Sequence, residues 1–305
     1  MQISSENYPA LADMVARQVA AFPDHREYLE KRFADAASAT LQFADDISRK
    51  VMGIAGADIT RFVEDYRWLC DMVLQEEIHF RRTGRYRLST FEEADAQVYS
   101  NREFMTRYMN GLLASQLWWS NHTEMLHYFR DAFVAGNPQN FSHLEIGPGH
   151  GLFLYLAASS PKCGSATGWD ISDASLANTR EALSSMKLDR AVDLRKVNLF
   201  DAPSEQFNSI AFSEVLEHLE VPQDALAILH RLLSKDGRIF INAPINSPAP
   251  DHLFLFETPE QMVDMILDAG FVVESTRFAP CTGATLERAR KRKLSISAGV
   301  IARKR

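Results

Sequence analysis

The chain has 305 residues, and its hydrophobic fraction of 46% is ordinary for a globular protein large enough for two domains. Its formal net charge of −7 argues against a broad nucleic-acid surface, no apolar run is long enough to cross a bilayer, and the first residues lack a signal-peptide pattern. Cys70, Cys163 and Cys281 form no Cys-x-x-Cys pair and their odd number argues against a disulfide framework, so we expect a cytoplasmic protein.

The first part of the chain is predicted to be an all-α domain. Apolar residues recur at helical spacing, as in the stripe of Phe62, Tyr66, Leu69, Val73 and Phe80. The predicted helices are 10–22, 25–45, 59–81, 91–99, 101–119 and 122–133. Glycine and proline at 136–138 mark a boundary, so the sequence predicts one domain at 1–138 and a second at 139–305.

Two Glu-x-x-His pairs, Glu76/His79 and Glu124/His127, lie on these predicted helices. Residues at i and i+3 share a helix face, and two such pairs with two further glutamates build a di-iron site in four-helix bundles. The partner glutamates cannot be picked from the sequence, so we predict no metal site. A helical di-metal oxidase fused to the second domain remains an alternative.

The second domain begins with a strand, a glycine turn and a helix in direct succession over residues 143–158. Gly147, Gly149 and Gly151 let the backbone turn sharply and bring its amides against a ligand. A dinucleotide fingerprint needs Gly-x-Gly-x-x-Gly, and Leu152 occupies the place of the third glycine. No Walker lysine follows the turn, which argues against an ATPase.

Polar residues end the next three predicted strands. Asp170 stands about 20 residues after the glycine turn, where α/β nucleoside-binding domains place an acid for the ribose hydroxyls. Asn198 follows the strand 192–197, and Ser213 ends the strand 208–213. The chain then reads Glu-Val-Leu-Glu-His over 214–218, followed by a helix at 223–233, a turn at 234–237 and a strand at 238–243.

This order resembles the class I S-adenosylmethionine (SAM) methyltransferases over roughly residues 140–303, and the 214–218 segment resembles ubiquinone-type O-methyltransferases. The resemblance implies an α/β fold, a Rossmann-like sheet with helices on both faces, here preceded by the all-α domain. It implies SAM as cofactor and S-adenosylhomocysteine as product. Glu145 would lie near the methionine amino group, Asp170 at the ribose, and Asn198 at the adenine, with Asp201 as second choice. The implied cofactor residues are Glu145, Gly147, Gly149, Gly151, Asp170, Ile171, Asn198, Leu199 and Ser213.

A helical extension in such enzymes often closes over the cofactor and shapes the acceptor pocket, where it excludes water. The segment 99–133 is the best candidate because it is rich in aromatic and amide side chains. We therefore expect Tyr99, Tyr108, Trp118 and Trp119 to bind substrate. The alternative is that the tryptophans are core.

A hydroxyl or carbon acid that accepts a methyl group also needs a base, and histidines are the candidates. His252 is the first choice because it follows the fifth strand, at the edge where open α/β sheets bind ligands. Its alternative is a surface position before a helix that begins at Thr258. His218 is the second choice and His122 the third, whereas His150 lies inside the glycine turn as a neighbour of the cofactor.

The sequence thus favours a SAM-dependent methyltransferase of a small metabolite or natural-product intermediate, with oxygen, nitrogen and carbon acceptors all open. Residues 213–216 are not Asn-Pro-Pro-Tyr, which disfavours the amino nitrogen of adenine or glutamine. Cyclisation, aminopropyl transfer and a non-catalytic SAM-binding partner protein remain alternatives. We expect no nucleic-acid or membrane partner, and a homodimer is possible. The basic cluster at 288–293 is expected in a solvated hairpin, and the alternative is a patch for an acidic carrier or an anionic substrate.

Overall fold

The computed structural model describes residues 3–304, and the first part of this range, residues 3–134, is helical. We call it the helical region. Its α-helices are α1 (Pro9–Ala21), α2 (Arg26–Phe33), α3 (Ser38–Ala55), α4 (Ile59–Thr83), α5 (Phe91–Ala94), α6 (Arg102–Trp118) and α7 (Ser120–Tyr128). Two of them continue as π-helical turns, α5 into Asp95–Tyr99 and α7 into Phe129–Val134.

The helical pattern predicts most of these elements, with one clear difference. The predicted helix 25–45 is two helices, because Ala37 adopts extended backbone angles between α2 and α3, and the second helix continues to Ala55 instead of ending at residue 45. The apolar stripe of α4 is buried as its spacing requires, and the helix ends at Gly84. Gly84 has φ of 71°, the left-handed conformation in which glycine commonly ends a helix.

Seven strands form one sheet within residues 3–304, in the order β3-β2-β1-β4-β5-β7-β6. They are β1 (Phe141–Ile146), β2 (Cys163–Asp170), β3 (Val192–Lys196), β4 (Phe207–Ser213), β5 (Leu233–Ile245), β6 (Phe271–Pro280) and β7 (Ile296–Lys304). The first five are parallel, and β7 runs antiparallel between β5 and β6. The strand order reverses between β1 and β4, and ligands of open α/β sheets bind outside the carboxyl ends of strands at such a point.

Helices cover both faces of the sheet, as predicted. They are α8 (Leu152–Ala158), α9 (Asp173–Ser185), α10 (Pro222–Leu232), α11 (Pro259–Asp268) and α12 (Leu286–Arg292). One apolar core holds α8, α9 and the helical region, and the other holds α10 and α11. The predicted helix starts are present: the Ser172 side chain accepts from the Ser175 amide, and the Thr258 side chain accepts from that of Gln261.

Two predicted segments near the end of the chain differ from the structure. The predicted turn at 234–237 belongs to β5, because Leu233 already pairs with Phe207 of β4. The basic cluster lies, as predicted, in the connection between the antiparallel strands β6 and β7, but most of it is on a helix, α12, and not in a loop. Arg290 pairs with Glu260 and Lys293 with Glu257, so part of the positive charge is compensated.

The apolar core continues from the helical region into the sheet. The ring of Phe129 packs 5.0 Å from that of Phe153 on α8 and 5.1 Å from that of Phe240 on β5, measured between centroids. Phe129 and Phe240 are completely buried. Secondary structure therefore changes near residue 138, but the hydrophobic packing does not stop there.

Cys70, Cys163 and Cys281 are free thiols. None of the helices in the described range is long and apolar enough to span a membrane.

Candidate active site

The glycine turn between β1 and α8 has the backbone that its sequence predicts. Gly147, Gly149 and Gly151 have φ of 65°, 48° and 73°, the left-handed region that favours glycine. A Cβ on Gly147 would lie 3.2 Å from Cγ2 of Val215, which is tighter than an ordinary contact. The turn therefore packs directly against the segment that follows β4.

Glu145, near the end of β1, has a buried carboxylate that lacks a hydrogen-bond partner on one of its oxygens. It is 3% exposed, and its Oε2 atom has no hydrogen-bond partner anywhere in residues 3–304. Burial raises the pKa of this carboxyl well above its usual range. Leaving such a group unpaired is costly, so the site suits a ligand that brings a donor or a positive charge.

Asp170 ends β2, and its carboxylate is held at the start of α9. One oxygen accepts from the Ser172 amide at 2.8 Å and the other from the Ser175 hydroxyl at 2.7 Å. Burial raises the pKa of Asp170, and these hydrogen bonds oppose the rise. Each carboxylate oxygen has a second lone pair, so Asp170 can still accept two hydroxyl groups.

The remaining cofactor candidates lie at the same edge of the sheet. The side-chain oxygen of Asn198 accepts from the Phe200 amide at 3.0 Å, which leaves the amide nitrogen of Asn198 as a donor. Ser213 receives a bond from Nδ2 of Asn242. Ile171 is half exposed and Leu199 is buried.

A second set of groups follows β4 and β5. Oε1 of Glu217 lies 3.7 Å from Nε2 of His218 and 4.0 Å from Nε2 of His252. We call these three residues the Glu217 cluster. Within residues 3–304 they are the single group of three or more His, Cys, Asp or Glu side chains whose potential ligand atoms all lie within 4.8 Å.

Backbone carbonyls fix the orientation of both imidazoles. Nδ1 of His218 lies 3.0 Å from the Asp251 carbonyl, and Nδ1 of His252 lies 2.7 Å from the Ser247 carbonyl. A carbonyl only accepts, so each Nδ1 carries a proton, and in a neutral ring with this tautomer Nε2 presents the lone pair. Burial lowers the pKa of His252 to about 4, which keeps this ring neutral near pH 7.

Side chains from the helical region cover the cluster. The Tyr108 hydroxyl donates to Oδ1 of Asp251 at 2.8 Å, and the Tyr99 hydroxyl lies 3.4 Å from Oδ2. Tyr99 is also 3.2 Å from Nδ1 of His218. Burial, followed by the Asp251 charge, raises the pKa of both phenols, so they remain donors. On the same side, Met109 of α6 reaches the glycine turn at Gly149.

Comparison with known proteins gives this site a context. Residues 144–239 match a family described as a methyltransferase domain. The ubiquinone biosynthesis O-methyltransferases of Pseudomonas aeruginosa and Pseudomonas paraeruginosa are 29% identical over 126 residues, which is 40% of this chain and 52% of theirs. This chain carries a class I SAM methyltransferase domain. The match spans about half the length of these relatives.

Two solved structures share the fold of the methyltransferase domain and part of the helical region. A mitomycin 7-O-methyltransferase aligns over 86% of this chain and 73% of its own, with 15% identity and a TM-score of 0.54. An O-methyltransferase family protein from Burkholderia thailandensis aligns over 80% and 71%, with 14% identity and a TM-score of 0.54. At this identity the likeness concerns the fold alone.

The structure places the four predicted substrate residues in different surroundings. Tyr99 and Tyr108 lie over Asp251, whereas Trp118 is completely buried in the core, as its alternative interpretation held. Trp119 donates its indole N–H to Tyr66 inside the helical region. Trp169, before Asp170, is also core and packs against Phe207.

Of the three histidines predicted as bases, the structure brings two together and places the third elsewhere. His218 and His252 meet in the Glu217 cluster, and His252 is 7% exposed instead of lying on the surface. His122 lies outside that cluster: its Nδ1 is 2.9 Å from the Ser115 hydroxyl, and burial lowers its pKa to about 3. Nδ1 of His150 accepts from the Leu152 amide within the glycine turn.

The two Glu-x-x-His pairs do not converge. Glu76 accepts from Arg87 at 2.9 Å, Glu124 lies 3.6 Å from Arg277, and His127 pairs with Asp131. The sequence analysis missed Glu217 as a site residue, although it stands beside His218 in the 214–218 segment. Its burial and its distance to His252 arise only in the folded chain.

Proposed function

We propose that the protein is an enzyme that transfers the methyl group of SAM to an oxygen of a small-molecule acceptor. The observation that carries this proposal is that the unpaired Glu145 carboxylate and the Glu217 cluster lie at one edge of the sheet. Val215 joins them, since it contacts Gly147 and stands two residues before Glu217. Methyl transfer needs donor and acceptor held roughly 3 Å apart, and adjacent sites supply that.

The residues on the cofactor side fit SAM. A positive amino group beside Glu145 would remove the free-energy cost of leaving this buried carboxylate unpaired. Asp170 has lone pairs left for the two ribose hydroxyls, and the amide nitrogen of Asn198 is free to donate to adenine. When bound, SAM supplies an electrophilic methyl group for in-line displacement.

The acceptor side fits a hydroxyl that must lose a proton. His252 and His218 both turn Nδ1 to a backbone carbonyl, and the Nε2 lone pair of an imidazole held in this way accepts a proton. Tyr99 and Tyr108 cover this side and exclude water from it. The names of the sequence relatives, which are ubiquinone biosynthesis O-methyltransferases, support oxygen as the acceptor atom.

Calorimetry with S-adenosylhomocysteine tests the cofactor, and incubation with SAM carrying a deuterated methyl group tests the transfer. We expect binding of the nucleoside and labelled products from phenols or alcohols, detected by mass spectrometry. Absence of binding overturns the proposal. Binding with transfer only to amines overturns the oxygen acceptor, and binding with no transfer to any hydroxyl, amine or carbon acid favours the non-catalytic partner protein.

A cytoplasmic location and a homodimer remain predictions. Light scattering coupled to gel filtration measures the oligomeric state.

A further inference from the structure

A groove opens at the surface between the C-terminal half of α4 and α12. It has a volume of about 620 Å³, and the residues that line it are Glu77, Arg81, Arg288, Arg292 and Leu294. The Arg81 guanidinium donates to the carbonyls of Arg292 and Lys293, at 2.7 and 2.9 Å. Carbonyls at the end of a helix lack partners within it, so Arg81 both caps α12 and fixes it against α4. The packing of the two helices therefore holds the groove open.

The groove is positively charged in a protein that is acidic as a whole. Five of the six residues from 288 to 293 are lysine or arginine, whereas the net charge of the chain is −7. Arg81 pairs with Glu77, but Arg288 and Arg292 have no ion pair with any residue of the range 3–304. They stand four positions apart on α12, where like charges repel. A bound anionic group would relieve that repulsion.

Beside these charges, α4 exposes two large apolar side chains. Leu74 is 54% exposed and Ile78 is 43% exposed. Leu74, Ile78 and Arg81 stand at positions i, i+4 and i+7, so they share one face of the helix. This face runs for about 10 Å along α4, from an apolar end to the cationic groove. A ligand that covers the whole face must combine apolar and anionic groups.

We propose that this face of α4, together with the groove, is a docking surface for an acidic amphipathic helix of a partner protein. Helices that bind in grooves use apolar anchors at i, i+3, i+4 and i+7. Such anchors would cover Leu74 and Ile78, and carboxylates beside them would reach Arg288 and Arg292. The opposite charges of the two surfaces would also steer the partner toward the groove.

Other anionic ligands match the surface less well. A free phosphate would occupy the cationic end and leave Leu74 and Ile78 in water. A nucleic acid or an anionic membrane presents a broad negative surface, which a protein with a net charge of −7 repels outside this groove. An acidic helix has the length, the apolar anchors and the local charge that the face requires.

The docking surface adjoins the acceptor side of the candidate active site. Phe80 precedes Arg81 on α4, and its ring centroid lies 5.7 Å from that of Tyr86. The Tyr86 ring lies 5.8 Å from that of His252, and its hydroxyl accepts from the Ser247 amide at 3.1 Å. Two ring contacts thus lead from this turn of α4 to His252. The docking itself does not depend on the proposed methyl transfer.

Fluorescence anisotropy of a labelled peptide, added to the whole protein, tests the surface. The peptide has about 18 residues, or five helical turns, with leucine at i, i+3, i+4 and i+7 spacing and glutamate between the leucines. We expect saturable binding that weakens as salt is added, because salt screens the charges. A peptide with serine for leucine and another with glutamine for glutamate should each bind at least about tenfold more weakly.

The variant Arg288→Gln/Arg292→Gln removes the two unpaired charges of the groove and should weaken binding of the acidic peptide at least about tenfold. Arg26→Gln/Arg180→Gln is the matched control. It removes two exposed arginines outside the groove that likewise have no ion pair within residues 3–304, and it should bind like the wild type. Circular dichroism checks that both variants fold. Should the first fail to fold, Arg292→Gln alone gives the same comparison.

No saturable binding by the wild type, or equal binding by the wild type and Arg288→Gln/Arg292→Gln, overturns the docking surface. Equal binding of the leucine and serine peptides shows a site for anions only and overturns the helix as its occupant. Sedimentation with vesicles that contain phosphatidylglycerol provides the last comparison. Binding to these vesicles that the arginine variant loses, without binding of the peptide, indicates a membrane surface and overturns the protein partner.

Discussion

The edge of the sheet where the candidate site lies has two halves, and they are assembled differently. The half at β1 to β3, the cofactor half, comes from one stretch of chain. Glu145 and the glycine turn lie at the end of β1, Asp170 ends β2, and Asn198 follows β3. The half at β4 and β5 joins Glu217 and His252 to tyrosines of the helical region. A ligand site made from consecutive strands can be read from spacing, whereas one assembled across the fold cannot.

Of the substitutions considered, His252→Ala should distinguish most clearly between the cofactor half of the edge, at β1 to β3, and the acceptor half, at β4 and β5. Loss of the group that accepts the proton of the methylated hydroxyl should lower turnover about 100- to 10,000-fold. Affinity for S-adenosylhomocysteine should change little, because Glu145 and Asp170 are untouched. Steady-state kinetics and calorimetry measure the two effects. His79→Ala is the control, and a fall in both quantities together would mean that the halves are not independent.

Phe129→Ala tests whether the helical region and the sheet share one core. Removing a ring that contacts Phe153 and Phe240 should cost about 3–5 kcal/mol in the free energy of unfolding. Urea denaturation followed by circular dichroism measures it, with the 43% exposed Phe91→Ala as a control expected within about 0.5 kcal/mol of wild type. An effect as small as that of the control would refute the shared core.

Asp170→Ala tests the cofactor half alone. If its carboxylate accepts the ribose hydroxyls, its removal leaves those groups unpaired and weakens S-adenosylhomocysteine binding by about 1–3 kcal/mol. Asp173→Ala removes a neighbouring carboxylate that pairs with Lys196 at the surface, and should leave calorimetric affinity unchanged. Unchanged affinity in the Asp170 variant would remove it from the site.

Tyr108→Phe tests the acceptor half alone. It removes the hydroxyl that donates to Asp251, a hydrogen bond to a carboxylate, at a cost of about 1.5–3 kcal/mol in stability. The KM for the acceptor should rise more than the dissociation constant of the cofactor. Tyr128→Phe, which loses an exposed bond to Ser275, is the control. Equal changes in the KM for the acceptor and in the dissociation constant of the cofactor would contradict the division of the edge into two halves.

The sequence predicts the cofactor half well, because glycine turns and strand-end carboxylates are local features. The φ values of the three glycines and the cap at Ser172 agree with that analysis. The sequence does not show that Tyr108 reaches Asp251 whereas Trp118 lies in the core. Both are aromatic residues on one helix, and only packing decides which of them reaches Asp251. The sequence also misses Glu217, whose side-chain environment depends on a loop more than 30 residues further along.

The same dependence on packing explains the wrong prediction for helix 25–45. Its periodicity continues through residues 34–37, and no glycine or proline marks the break there. Ala37 nevertheless has extended backbone angles, and the helix that begins after it, α3, packs against α1, α6 and α9. Local propensity is a weak guide where tertiary contacts decide the path of the chain.

The apolar core that passes unbroken from Phe129 to Phe240 also bears on how molecules enter and leave. Swinging the whole helical region aside would expose this core to water, at a free-energy cost that grows with the apolar area exposed. The stretch from 85 to 101 holds a smaller apolar cluster, formed by Leu88, Ala94 and Val98, apart from the two main cores. Substitutions in this stretch therefore leave the contact between Phe129 and Phe240 in place.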